Sequence, residues 1–441
     1  MEEVPKVPNL VATTGETYCT TIAKSRIRES IPHNGEGCDT GSETRDVFSE
    51  EDEELNYFKS AQWTSDGTSL LTSSADNTIR TFILPPDLLS EPSAPKSITP
   101  YSKHTYPTAI NCLTPYPLYD LSDPSTTLYL SAPTSLPIRL TNALSPSPIA
   151  VSTYNLVSPT TETWQTPASI LWSAPGHFLT GTDCLICVFD VSRNGEGPVT
   201  RLPTIPSKRH LMKGGGVGIR GIVSALSQQS AEGMIAAGTW TRSIGLYDAG
   251  GMGGTVSVWN IAEAADEIAS IGGTGITQTV WSDCGRYLCV VERKSNGVLV
   301  YDVRVTGKLV SWLEGRGAYT NQRLGVDVFA TEKGMEVWGG GADGVVGVWE
   351  GVGVVEGSQE RAWEWRAHDG STAMHPSGSV VATCSGQRGR LGLEDDSDDE
   401  SSDDSHEDSD SSSESESDDA SSPATSSPSS DVDNSLKIWS I

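Results

Sequence analysis

The sequence predicts an all-β chain whose strands close into a seven-bladed propeller, on three observations. A short alternating segment recurs seven times, as "NTIRTF" (77–82), "LPIRLT" (136–141), "CLICVF" (184–189), "RSIGLY" (242–247), "NGVLVY" (296–301), "GVVGVW" (344–349) and "NSLKIW" (434–439). Most copies follow a strand that closes on small residues, such as "FLTGTD" or "IAAGTWT", and before that a strand with a turn, such as "AQWTSDG" or "TVWSDCG". The copies end at 82, 141, 189, 247, 301, 349 and 439, a period of 48 to 59 residues until a last interval of 90. Strand, turn, strand, turn, strand at such a period makes one antiparallel blade, which cannot bury its faces alone and must stack on its neighbours.

Six of the seven segments end in an aromatic residue, followed by Ile83, Asp190, Asp248, Asp302, Glu350 and Ser440. That is the shape of a WD-type strand ending. The last interval returns to the range of the others once a Ser/Asp/Glu-rich stretch of roughly 40 residues is set aside as a loop insertion. Residues 391–430 are therefore expected to form a disordered acidic loop between the second and third strands of the last blade. A segment so charged buries too little apolar surface to offset its ordering entropy. A blade has four strands, and "SLKIWSI" leaves the seventh one short. The stretch 8–22, "PNLVATTGETYCTTI", is expected to supply an outer strand and close the ring, which also protects a bare sheet edge. It belongs to an N-terminal arm over 1–54, with the propeller over 55–441.

The chain of 441 residues is 36% hydrophobic and carries a formal net charge of −28. That charge is unevenly placed. Residues 394–419 hold 15 acids and no base, and residues 1–54 hold 13 acids against 5 bases. The body, 55–390, has 28 acids and 24 bases, a net of −4. A near-neutral body does not exclude contact with nucleic acid, whereas the acidic loop opposes non-specific contact. The opening "MEEVPKVPNLVATTGE" has acids and prolines where a signal peptide needs a basic start and an apolar run. No window approaches 18 consecutive apolar residues, so no membrane span is expected. Eight scattered cysteines, several inside expected strands, read as reduced thiols of the cytosol or nucleus.

Motifs for catalysis fail one after another, and neither an enzyme, a metal nor a cofactor is expected. "GVGIRG" (216–221) matches G-x-G-x-x-G but follows a basic loop and opens no helix, so it reads as a turn. Cys184 and Cys187 form a C-x-x-C inside an expected buried strand, which points the thiols to opposite faces, and no second pair completes a metal site. There is no G-x-S-x-G elbow, no Walker loop and no H-x-x-x-H pair. The basic residues are more informative. "SKRHLMKGGGVGIRG" (207–221) places Lys208, Arg209, Lys213 and Arg220 among glycines, where side chains and free amides suit phosphates. Arg242, Arg304, Arg316 and Arg323 fall at expected strand starts or loops, where propellers present their binding surfaces. Ser397, Ser401 and Ser405 are followed by acids and are candidate sites for an acid-directed kinase.

The segment "YTNQRLGVDVFATEKGMEVWGGGADGVVGVWEG" (319–351) resembles the telomerase Cajal body protein family, whose repeats carry a T-N-Q-R strand followed by G-x-x-x-G-x-V-x-V-W. "FKSAQWTSDGTSLLTSSADNTIRTFILPPDLL" (58–89) is similar to that family's first repeat, "AAGTWTRSIGLYD" (236–248) to its G-S-Y-x-R-S-L-G-L-Y strand and "MHPSGSVVATCSGQR" (374–388) to its last repeat. The resemblance covers about 55–441, with a poor match over 112–180 and a Gly-rich interruption, "DAGGMGGT", at 248–255. It implies a non-enzymatic scaffold that binds the CAB box of small nuclear RNA, or telomerase RNA, together with the proteins of those particles. Some fungal relatives are instead associated with pre-mRNA splicing, which keeps a protein-only WD-repeat adaptor as the alternative. The expected location is nuclear, in nucleoplasm or nuclear bodies, with the cytoplasm as a second compartment. Partners would dock on the propeller faces, and neither membrane nor DNA is expected among them. Arg323 and Arg242 lie within the two strands most similar to the family and are the expected RNA contacts. Lys208, Arg209, Lys213 and Arg220 form a looser phosphate-binding group.

Overall fold

The computed structural model describes residues 7–15, 52–90, 94–205, 218–248, 254–332, 334–367, 370–384 and 434–441, with backbone strands also at Cys19–Ile22, Arg28–Ser30 and Thr44–Asp46. The fold is an all-β seven-bladed propeller. Blade 1 orders its strands Phe58–Trp63, Ser69–Ser74, Thr78–Ile83 and Ser102–Thr105 from the channel outward. Blades 2, 3 and 4 repeat the order from Ile110–Pro115 to Ala150–Tyr154, from Ser169–Ala174 to Thr200–Pro203 and from Val223–Gln228 to Thr255–Asn260. Blade 5 runs from Ile276–Trp281 to Lys308–Ala318 and blade 6 from Val326–Thr331 to Trp363–Arg366. All neighbours within these six are antiparallel.

Blade 7 draws on both ends of the described chain. Ser371–Met374, Val380–Cys384 and Leu436–Ser440 give its first three strands, and Asn9–Thr13 pairs antiparallel with the third. Leu10 stands opposite Trp439 and Ala12 opposite Ile438. Lys96–Ser97 adds a parallel fifth strand outside Asn9–Thr13, and Gly357–Gln359 does the same outside blade 5. A second unit, Thr21–Glu54 with Gly389–Val432, contains an antiparallel ladder between Arg28–Ser30 and Thr44–Asp46. The expected acidic loop, 391–430, lies outside the described residues, as do Ser397, Ser401 and Ser405.

The second and third strands of each blade are covered on both faces, so they read as small and apolar with little exposed. Ser69–Ser74 is buried throughout, and His177–Thr182 is buried after its first residue. The hydrophobic clusters lie between blades. Phe178, Phe189, Tyr154 and Trp172 join blades 2 and 3, with the two phenylalanines stacked at 4.8 Å. Phe58, Phe82, Ala12, Ala382 and Ile438 join blades 7 and 1. That seam has a polar lock as well. Trp63 Nε1 donates to Ala373 O at 2.7 Å, its ring meets His375 edge-on at 4.7 Å, and His375 Nε2 lies 3.0 Å from Gly67 O. Gly67 has φ +70, and a Cβ there would fall 2.2 Å from His375, so both the turn and the lock require glycine.

Two sequence expectations are corrected. Cys184 is not a strand residue: it occupies the turn before Leu185–Asp190 with φ 52, while Cys187 is buried in the strand. Arg316 is not at a strand start or loop but inside Lys308–Ala318, and it is buried. Deleting 434–441 is expected to give insoluble or unfolded protein, whereas deleting 391–430 should leave one cooperative thermal transition. Circular dichroism melts of the two truncations test this. Within the seam, Ile438→Ala should cost about 2–5 kcal/mol, read by urea unfolding.

Candidate nucleic-acid interface

Each blade starts at the channel and zigzags outward, so all inter-blade connections and all turns between second and third strands gather at one end of the ring. This is here the upper end. Arg220 lies in the connection from blade 3 to blade 4, Arg323 in that from blade 5 to blade 6, and Arg242 in the corresponding turn of blade 4. The structure therefore brings these three sequence-predicted residues to one end. Lys208, Arg209 and Lys213 belong to the same connection as Arg220 but lie outside the described residues. Arg304 is at the opposite end, paired with Asp302 at 2.7 Å.

The innermost strands leave one edge of peptide groups facing the channel, and buried peptide groups need partners. Side chains of the neighbouring blade supply them. Gln62 donates to Leu113 O at 2.9 Å, Ser169 to Val223 O at 2.8 Å, Ser224 to Ile276 O at 2.5 Å and Gln278 to Val326 O at 2.9 Å. Four of these strands also carry a bulge at their second residue, at Lys59, Asn111, Ser224 and Thr277. A bulge re-aims the side chain of its extra residue. All four line the upper channel, a cavity of about 900 Å³.

Arg323 crosses this channel. Its connection leads into blade 6, yet its Nη1 donates to Ala168 O, at the start of blade 3, at 2.9 Å. Blades 3 and 6 stand on opposite sides of a seven-membered ring. The guanidinium thus forms a bar that also borders a lower cavity of about 440 Å³. It is wetted by the channel but surrounded by protein. Burial works against its charge and lowers its pKa, with Arg293 acting in the same sense. Cys112, nearby in blade 2, is no counter-ion, since burial pushes its thiol up to about 12. Among the described residues, the only carboxylate bordering the upper cavity is Asp183.

The other arginines differ in how they are engaged. Arg242 donates to Asp266 at 2.6 and 2.9 Å and to Glu292 at 2.8 and 3.0 Å, so four of its five donors meet carboxylates. Burial opposes its charge, but those two carboxylates raise its pKa overall. Asp266 is presented by a single π-helical turn, Ala264–Ile268. Glu292, itself buried, also accepts from the Gly275 amide at 3.1 Å. Arg316 has no carboxylate: Nη2 donates to Leu324 O at 2.6 Å, Nε and Nη1 are buried without partners, and burial lowers its pKa to about 10. It ties down the connection that presents Arg323.

Sequence reasoning missed Arg293 and the aromatic residues at this end. Arg293 lies over Trp240 at 4.9 Å, and its Nη2 donates to Thr274 O at 3.4 Å. Trp240, Trp164 and Tyr319 are 37%, 41% and 68% exposed, unusual for large rings and suited to stacking. Their signal was available: each stands in a turn or connection, outside the alternating strand pattern. Asp327 was also missed. It sits in the first strand of blade 6 against Thr372 and Met374 of blade 7, its Oδ2 is buried without a partner, and burial pushes it up to about 7. Among the described residues, no group of three His, Cys, Asp or Glu side chains is placed to hold a metal ion. No helix among them is long and apolar enough to cross a membrane.

A ring of seven antiparallel blades around an open channel, with an aromatic residue ending the repeated segment in six of them, defines a WD-repeat β-propeller protein. No family model matches the sequence. The chain is a distant homologue of telomerase Cajal body protein 1 and of the fungal SWT21 proteins. It is 29% identical to telomerase Cajal body protein 1 of Rattus norvegicus over 344 residues, 76% of this chain and 59% of the rat protein. The match thus spans less than two thirds of that relative. Protein SWT21 of Candida glabrata is 27% identical over 274 residues, 59% of this chain and 60% of the yeast protein. Guanine nucleotide-binding protein negative regulator 1 of Schizosaccharomyces pombe is 27% identical over 308 residues, 68% of this chain and 72% of that protein.

Two expectations follow from the buried charges. Arg242→Ala leaves Glu292 buried without its partner and should destabilise the fold by about 3–5 kcal/mol, measured by urea unfolding. Asp327 keeps its proton to about pH 7 in the folded chain, while the unfolded carboxyl loses it near pH ~4. Between those values the native state binds more protons, so stability falls as pH rises. Asp327→Asn removes that dependence. Calorimetry should show a Tm gain of at least ~2 °C over the parent at alkaline pH, and little gain in acid.

Proposed function

We propose that this propeller is a non-enzymatic scaffold for a small nuclear RNA, of CAB-box type or telomerase RNA, and for the proteins of that particle, acting in the nucleus. The observation that carries the reading is the Arg323 bar, at the end of the ring that also presents Arg220, the Arg293–Trp240 stack and two exposed aromatic rings. RNA is recognised mainly through unstacked bases that lie on aromatic or guanidinium planes, with few phosphate contacts needed. A body of net −4 is compatible with that mode. The distant homology to telomerase Cajal body protein 1 points to the same class of particle. Arg323 and Arg220 are the proposed contacts, with Lys208, Arg209 and Lys213 as the phosphate-binding group. Arg242, engaged by two carboxylates, would contribute by holding its turn.

A protein-only adaptor, associated with splicing complexes, is the second reading. Ile149 and Val151 at the outer edge of blade 2 are 73% and 56% exposed and would suit a protein partner. Cross-linking and immunoprecipitation of the tagged protein separates the two: an enriched small RNA is expected, and recovery of proteins alone would overturn the RNA reading. Arg323→Ala should weaken RNA binding at moderate salt with a nearly unchanged Tm. A large fall in Tm would make Arg323 a structural residue.

A further inference from the structure

We propose that the upper channel receives a single nucleotide, splayed out of a single-stranded RNA, with its phosphate on Arg323 and its base among the neutral polar side chains around Asn111 and Trp240. This rests on the RNA reading above and specifies where on the ring the strand enters.

Three observations converge on it. The cavity, about 900 Å³, is of the size of small-molecule sites and is open at the upper end. At its floor stands a guanidinium with one hydrogen bond, to Ala168 O, and no carboxylate partner. A guanidinium has five donors in a planar fork, which suits phosphate oxygens. Arg323 is exposed to the channel, so its remaining donors are open to an anion that arrives there. The wall, finally, has the chemistry of base edges. The bulges at Asn111 and Thr277 place an amide and a hydroxyl on the channel wall, which also includes Trp240 with Arg293 stacked on it. Such donor and acceptor groups, with an aromatic plane beside them, read an unpaired base.

The test uses the full chain and total small RNA carrying 4-thiouridine. After photo-cross-linking, peptide mapping should place RNA on the peptides containing Trp240 or residues 319–325. Asn111 is exposed in the channel, so Asn111→Trp should fill the lumen without repacking a core and cut RNA binding at least tenfold at an unchanged Tm. Arg323→Met, which keeps the length of the side chain and removes its charge, should lower the slope of log K against log salt by about 0.7. This second variant carries the test if the first does not fold. Cross-links confined to other surfaces, or binding by Asn111→Trp or Arg323→Met equal to the parent in affinity and salt slope, would overturn the channel site while leaving the RNA reading intact. Absence of any RNA cross-link on the parent protein would overturn the RNA reading itself, and the channel site with it.

Discussion

The propeller depends on one pairing, that of Asn9–Thr13 with Leu436–Ser440. Each blade buries its faces only against two neighbours, so a ring with one incomplete blade exposes apolar surface on both sides of the gap. The clusters show this directly: Ala12 and Ile438 of blade 7 pack in the same group as Phe58 and Phe82 of blade 1. The hydrogen bond from the Leu436 amide to Thr14 Oγ1, at 3.1 Å, extends the seam past the strand pair. Covering the outer edge with Lys96–Ser97 removes a second row of unpaired peptide groups from water-facing competition with other chains.

Closure also creates the site. Only in a closed ring do seven inner strands face one lumen, and only there can Gln62, Ser169, Ser224 and Gln278 bridge from blade to blade. These bridges satisfy the inner peptide edge with uncharged side chains. Arg323, which borders the upper channel together with Lys59 and Asp183, reaches across the ring. It lacks the carboxylates that hold Arg242, and its connection is fixed from behind by Arg316, whose carbonyl contacts at Leu324 and Gly325 immobilise the residues next to it.

The third strands of the blades were legible because buried alternation repeats seven times and an aromatic ending six times. The outermost strands were not. Thr200–Pro203 and Ser102–Thr105 are short, partly exposed and polar, and nothing in "TRLP" or "SKHT" separates an outer strand from a loop. At the site, sequence reasoning found arginines but could not rank them. Arg242 and Arg323 look alike in the chain; the difference is Glu292 and Asp266, 50 and 24 residues away from Arg242, against a carbonyl 155 residues away from Arg323. The bulges were equally hidden, because a one-residue slip in register changes no residue type.

The seam between Thr14 and Leu436, 422 positions apart, has a further consequence in time. Loop entropy grows only logarithmically, so this distance adds little to the equilibrium cost of closure. Its effect is on order of assembly. At about 5–20 residues per second, the strand made first waits roughly 20 to 80 s on the ribosome before its partner exists. By the end of that interval the chain holds six blades' worth of strands and a β segment still without its partner. Productive folding therefore requires Asn9–Thr13 to stay clear of other sheet edges until Leu436–Ser440 is made.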